Sequence, residues 1–197
     1  RASYSIEAID NSDYLGYVDK HPNNIIMLTC DAFGVLPPVS KLSPEKAVEH
    51  FLIGYTAKVA GTEAGIKEPV AAFSSCFGAP FMPLKPEVYG ELLKKKIEEG
   101  NVNCWLVNTG WVGGAYGTGN RISLKYTRQI IDLINNNKLS EVDTVKHKYT
   151  DLEIPQIKTL PSELLEPEKS WASLSDYENQ VRTLITMFSA RKNKVFK

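Results

Sequence analysis

Apolar positions along the chain follow two rhythms, short compact runs and stripes spaced three or four residues apart, separated by stretches rich in glycine and proline. Asn24-Ile25-Ile26-Met27-Leu28-Thr29-Cys30 is a largely apolar run that leads into Asp31-Ala32-Phe33-Gly34, the pattern of a buried strand delivering a polar residue at its C-terminal edge. Functional loops often sit at such edges. Gly34-Val35-Leu36-Pro37-Pro38 continues neither a helix nor a central strand, because adjacent prolines remove two backbone donors. Ser43-Pro44-Glu45 then offers an N-cap, a proline at the first helical position and an acid in the first turn. Val48, Phe51, Leu52, Tyr55 and Val59 follow at helical spacing, so an amphipathic helix is expected. A second helix is expected over residues 86–100, with Val88, Leu92, Leu93 and Ile97 on one face, Lys94, Lys95 and Lys96 solvated on the other, and Gly100 as its stop. Residues 102–108 read as a second buried strand, and residues 124–136 as a helix carrying Leu124, Ile130, Ile131 and Ile134. Ser175 with Glu178 reads as the capping box of a last helix bearing Val181, Leu184, Ile185 and Phe188.

Between these elements, residues 61–86 are glycine, proline, serine and small residues broken by Phe73, Phe77 and Phe81, with no sustained period. Loops longer than about 12 to 15 residues are uncommon in compact domains unless they bind something or close over a site, so a lid is one reading. The other is two short strands, residues 70–73 and 81–84, paired with each other; the two readings can coexist. Residues 151–167 contain three prolines and little periodicity, which predicts a surface wrap. Strands interleaved with helices predict an α/β fold, and no repeat or shift in composition marks a domain boundary.

Composition narrows the function. Lys and Arg total 23 and so do Asp and Glu, so the chain lacks the basic field that holds a nucleic acid. Its apolar runs fall far short of the roughly 20 residues of a membrane span. Cys30, Cys76 and Cys104 are odd in number and widely spaced, which writes neither a disulfide framework nor a CxxC metal site and suggests a reducing compartment, the cytoplasm by default. The first ten residues lack the charged start and apolar core of a signal peptide, and the chain opens on Arg1 rather than Met, which reads as a fragment.

The stretch with most chemical content is Asn108-Thr109-Gly110-Trp111-Val112-Gly113-Gly114-Ala115-Tyr116-Gly117-Thr118-Gly119-Asn120-Arg121-Ile122-Ser123, with five glycines after a buried strand. Glycine lets backbone N–H groups approach an anion, and Arg121 supplies a planar charge that can fork onto phosphate or lie against a base. Neither GxxxxGK[ST] nor GxGxxG is present in its required context, so from the residues alone a nucleotide site and a plain glycine-rich connection both stand. His21, His50 and His147 have no partner at a metal-ligand spacing, and no complete metal site is expected. His50 reads as a satisfied helical histidine. Cys76 lacks a basic neighbour or helix N-terminus to lower its pKa and is a poor nucleophile. Asp31 is either a functional carboxylate or the cap of the turn that follows it.

Taken together, Leu28-Thr29-Cys30-Asp31-Ala32-Phe33-Gly34-Val35-Leu36-Pro37-Pro38-Val39-Ser40, Gly54-Tyr55-Thr56-Ala57-Lys58-Val59-Ala60-Gly61-Thr62-Glu63, Phe73-Ser74-Ser75-Cys76-Phe77-Gly78 and Asn108-Thr109-Gly110-Trp111 closely resemble the ATP-dependent phosphoenolpyruvate carboxykinases. The resemblance covers nearly the whole chain and implies a mixed sheet with flanking helices, residues 1–197 being a C-terminal segment of the family's nucleotide-binding domain. Those enzymes are more than twice as long, and the resemblance places their N-terminal domain, P-loop and metal ligands upstream of Arg1. It implies conversion of oxaloacetate and ATP to phosphoenolpyruvate, CO2 and ADP in gluconeogenesis, with Mg2+ travelling with the nucleotide and a second divalent ion, often Mn2+, held by the protein. The rest of the same polypeptide is then a partner, and this segment alone is expected to be inactive. Arg1-Ala2-Ser3-Tyr4-Ser5-Ile6 resembles the family's Arg-x-Ser-Tyr-Pro-Ile, which implies a catalytic, γ-phosphate-contacting role for Arg1, with Ser5 in place of the usual proline. Residues 109–127 resemble the adenine-side segment, in which Arg121 packs on the nucleotide, Ile122 lines the adenine pocket and Thr127 hydrogen-bonds it; Asn120 replaces a frequent lysine. Residues 61–81 match the lid. The alternatives are a non-catalytic nucleotide-binding module and a structural fragment of a nicked enzyme.

Overall fold

The computed structural model describes residues 3–10, 12, 20–61 and 64–196. Nine strands and five α-helices occur among them: β1 (Asn24–Thr29), β2 (Val39–Leu42), α1 (Pro44–Ile53), β3 (Tyr55–Lys58), β4 (Val70–Phe73), α2 (Pro86–Gly100), β5 (Asn103–Asn108), β6 (Trp111–Val112), β7 (Asn120–Arg121), α3 (Leu124–Asn135), β8 (Thr144–Lys146), β9 (Glu153–Pro155), α4 (Ser162–Leu165) and α5 (Leu174–Val195). The main sheet has the order β1-β5-β2-β9-β8. Only β1 and β5 run parallel; β2, β9 and β8 add to them antiparallel, so the sheet is mixed, as expected.

The continuous apolar run of β5 is explained by its position, since it is paired on both edges and covered on both faces. Period-2 alternation splits its side chains between two cores. Cys104 and Leu106 join Met27 and Leu42 beneath α1 and α5, among Ala47, Tyr177, Val181 and Leu184. Trp105 and Val107 join Val39 and Ile154 beneath Ile130 and Ile134 of α3. The indole N–H of Trp105 donates to Asn24 Oδ1 at 3.0 Å, which pays the polar cost of burying that ring.

Several sequence expectations hold, others shift by a few residues, and one fails: residues 151–167, expected as a surface wrap, place β9 inside the sheet and bury Leu152, Ile154, Ile157, Leu160 and Leu165 in the two cores. Ser43 caps α1 through its hydroxyl, which accepts from Lys46 N at 3.2 Å, with Pro44 at the first position. The helical stripe then overruns. Gly54, at φ 59°, ends α1, and the expected helical residues Tyr55 and Val59 lie beyond it, Tyr55 in β3. The stop of α2 is Asn101, left-handed at φ 47°, and Gly100 remains helical. The cap of α5 is Ser173, accepting from Asp176 N at 3.2 Å, two residues before the expected Ser175, and Glu178 instead accepts from the Tyr149 hydroxyl at 2.9 Å. Residues 70–73 form a strand, but the partner is β3, with Tyr55 opposite Phe73, rather than residues 81–84, whose beginning lies in the turn Ala79–Phe81. Tyr55 packs 5.4 Å from Phe73 and 5.1 Å from Phe188, ring to ring, and that aromatic contact fixes the pairing.

His50 stands near the end of α1, edge-on to Phe188 at 6.1 Å, with 9% of its surface exposed. Burial pulls its imidazole down to about 4 from the ordinary 6.5. The folded state thus disfavours the imidazolium, so stability is complete above pH 6.5 and falls as pH drops towards 4, by about 3 kcal/mol in all. Urea unfolding between pH 7.5 and 4 should show this loss, and His50→Gln should remove most of it, leaving the smaller part due to buried His147, whose pKa burial also lowers.

Candidate functional site

The site begins at the C-terminal ends of the parallel pair β1 and β5, where Asp31 is fully buried. Its Oδ1 accepts from Phe33 N at 2.9 Å and from the Tyr55 hydroxyl at 2.8 Å; its Oδ2 accepts from Val35 N at 2.7 Å and Leu36 N at 2.8 Å. Of the two sequence readings, the capping one describes Asp31. Burial pushes this carboxyl up from its ordinary value, while the four donors favour the ionised form. Burial and the adjacent Asp31 raise the Tyr55 phenol, which stays protonated and donates.

Asn108 ties the second strand end to the first. Its Oδ1 accepts from Asp31 N at 3.0 Å and Gly110 N at 2.8 Å, and its Nδ2 donates to Leu36 O at 2.9 Å. A short hairpin, β6 and β7, grows from this knot: Trp111 N donates to Asp31 O at 2.8 Å, Tyr116 N to Ala32 O at 3.0 Å and Ile122 N to Gly110 O at 2.9 Å. Two glycines are required by proximity. A Cβ on Gly110 would lie 2.2 Å from Asp31 O, and one on Gly34, which is left-handed at φ 71°, would lie 2.1 Å from Gly114 O. The turn of residues 33–36 and the glycine-rich hairpin are therefore one hydrogen-bonded body. It is held from behind by Trp171 Nε1, which donates to Gly34 O at 2.9 Å, and by the Tyr177 hydroxyl, 3.1 Å from both Val35 O and His147 Nε2.

On this body Arg121 is exposed. Its Nε donates to Thr109 O at 2.9 Å, and its guanidinium carbon lies 4.7 Å from the Trp111 ring centroid. Cys30 lies close by; burial raises its thiol and the Arg121 charge opposes that rise. Ile122 follows with its side chain enclosed, and Thr127 sits in the first turn of α3, half-buried, its hydroxyl 3.5 Å from Ser123 O. Arg121, Ile122 and Thr127 thus gather at the junction of β7 and α3. Arg1 lies outside the described residues.

The expected lid, residues 61–81, is partly secured, with residues 62 and 63 outside the described set. Ser74 N donates to Gly54 O at 3.0 Å, and Ser75 Oγ accepts from Arg191 Nη2 at 2.8 Å. Cys76 and Phe77 take left-handed conformations at φ 57° and 55°, while Phe81 is 78% exposed. Cys76 is held as a thiol, its pKa raised by burial and by Glu87. Among the described residues no group of three or more His, Cys, Asp or Glu is placed to hold a metal ion. A cavity of about 210 Å3 lies elsewhere, between α1 and α5, bordered by His50, Leu184 and Phe188.

The phosphoenolpyruvate carboxykinase family matches residues 1–163. The chain belongs to that family. Among its relatives, a phosphoenolpyruvate carboxykinase (ATP) of Geotalea uraniireducens is 53% identical over 194 residues, covering 98% of this chain and 36% of that protein. Proteins of the same description from Christiangramia forsetii and Pelobacter propionicus are 52% and 50% identical, over 98% of this chain and 36% and 37% of their own lengths. The chain therefore spans about a third of the length of the relatives it matches.

Sequence reasoning reached Arg121 but assigned no role to Trp111, Asn108, Trp171 or Tyr177. Asn108 alone had a local signal, an Asn at a strand end two residues before a glycine, which is an Asx-turn pattern. Removing the Asp31 carboxylate tests the knot. Asp31→Ala would leave three backbone N–H groups and the Tyr55 hydroxyl without an acceptor and should cost about 3 to 5 kcal/mol of stability, against about 1.5 to 3 kcal/mol for Tyr55→Phe, both read by denaturant unfolding.

Proposed function

We propose that the protein to which this chain contributes is an ATP-dependent phosphoenolpyruvate carboxykinase, converting oxaloacetate and ATP to phosphoenolpyruvate, CO2 and ADP. In this reading the chain supplies the adenine-side segment, residues 109–127, and the lid, residues 61–81, of a nucleotide-binding domain. The observation that carries it is Arg121: in a chain of this family, an exposed guanidinium stands on a glycine hairpin at the C-terminal edge of a parallel strand pair, its Nε committed to Thr109 O and its remaining N–H groups hydrogen-bonded to no described residue. Ile122 and Thr127 complete the adenine side, and Arg1 meets the γ-phosphate from the substrate side.

Decarboxylation of oxaloacetate leaves an enolate whose oxygen takes the γ-phosphoryl group of ATP. Such a transfer needs positive charge around the phosphoryl oxygens and exclusion of water, which would otherwise protonate the enolate. Arg1 contributes charge, and the lid, with Phe77 and Phe81 exposed on it, contributes the dry cover. Mg2+ enters with ATP. A protein-held Mn2+ would take its ligands from the rest of the polypeptide, where the family resemblance puts them. The same division makes this chain inactive alone. Three free cysteines suit a reducing cytoplasm, and no described helix is long and apolar enough to cross a membrane.

Arg121→Ala should weaken ATP binding by about 1 to 3 kcal/mol, the range of a charge-assisted contact, measured by titration of the complete protein and, at millimolar ATP, of the 197-residue chain. Turnover of oxaloacetate should appear only with the complete protein. Unchanged affinity in the variant would remove Arg121 from the site and leave the reading without its main support.

A further inference from the structure

We propose that Trp111 is a positioning residue that acts on the nucleotide through Arg121, holding the guanidinium plane in place before the ligand arrives; this rests on the nucleotide reading above. Trp111 and Arg121 are directly opposite in the β6–β7 pair, so both side chains leave the same face of the hairpin. The guanidinium lies over the indole at 4.7 Å, within the range of a cation–π contact, and Nε points back to Thr109 O. The indole contact and one donor of Arg121 are thus used inside the protein. Among the described residues no hydrogen bond engages the N–H groups of either Nη atom, on a residue that is exposed.

An exposed arginine with no such shelf spreads over many rotamers and must be ordered at the moment of binding. Here the shelf is itself fixed. Trp111 is 7% exposed, carries Tyr116 edge-on at 5.6 Å and is tied through its backbone N–H to Asp31 O. The orientation of Arg121 is inherited, through Trp111, from the buried knot at the end of β1. An anchored, exposed guanidinium that presents a fork of N–H groups suits a ligand that is both planar and anionic, which describes ATP. Lysine at this position offers a point charge with no plane to lay on the indole.

The test is a double-mutant cycle on ATP affinity in the complete protein. Trp111→Leu should weaken ATP about threefold to tenfold and Arg121→Ala about tenfold or more, while the double variant should be no weaker than Arg121→Ala within about twofold. Additive losses would overturn the inference and leave the nucleotide reading standing. Arg121→Ala that binds ATP as wild type in the complete protein would overturn the reading and this role with it. The unmodified, ligand-free chain gives a readout that does not depend on a variant folding: the Arg121 Cδ protons should be shifted upfield by the indole ring current, and protons at ordinary arginine positions would overturn the inference. Trp111→Phe, which retains an aromatic face, should keep part of that shift and part of the affinity.

Discussion

The arrangement depends on one buried carboxylate. Asp31 sits where β1 ends, and its four hydrogen bonds decide where the chain goes next. Three of the donors are backbone N–H groups of residues 33, 35 and 36, so the carboxylate winds the turn around itself and delivers the chain to β2. The fourth, from Tyr55, fastens the β3–β4 ribbon to the same point. Removing such a group from water is expensive, and only a full set of donors offsets the cost. The set is full because the turn is shaped by it, which makes Asp31 and the residues that follow it a single cooperative unit.

That unit explains why the exposed chemistry is rigid although it stands on a glycine-rich loop. Glycine normally loosens a loop, but at Gly34 and Gly110 it permits backbone to approach backbone closer than a side chain allows. Closeness then replaces side-chain packing as the source of order. Support also comes from far along the sequence: Trp171 and Tyr177 hold the carbonyls of Gly34 and Val35, and both lie beyond residue 163, where the family match ends. The last helix is thereby part of the site's foundation.

The sequence was most legible where structure is local. Ser43-Pro44-Glu45 marked the start of α1, and the apolar run of β5 marked an interior strand, because capping and burial leave their signature within a few residues; the similar run of β1 reads as buried but forms the edge of the sheet, with Leu28 exposed. It misled where two periodicities overlap. Tyr55 continues the stripe of α1, yet left-handed Gly54 ends the helix and Tyr55 goes to the aromatic contact with Phe73 and Phe188. Asp31 was visible as a polar residue at a strand end, but capping and chemistry differ only in where the donors lie, and Tyr55 comes from 24 positions away. Trp111 belonged to a quoted motif with no role attached, because its partner across the hairpin is set by the register of β6 and β7.

Charge bears on how much of a nucleotide site this segment can be. ATP carries several negative charges, and its phosphates need several positive partners. The lysines of α2 are already engaged, Lys94 with Glu45 at 3.0 Å and Glu98 at 3.7 Å, Lys95 and Lys96 with Glu99 at 3.6 and 3.8 Å. Exposed pairs of this kind are worth little to stability, but they neutralise the face that carries them. With 23 basic residues balanced by 23 acidic ones, the chain as a whole adds no attractive field. On the nucleotide reading, what it offers the ligand is orientation, a guanidinium anchored on Trp111 and Thr109 O. On the carboxykinase reading, the charge that grips the phosphates then has to come chiefly from the rest of the polypeptide, and the two parts divide the work between placing the nucleotide and holding the group that moves.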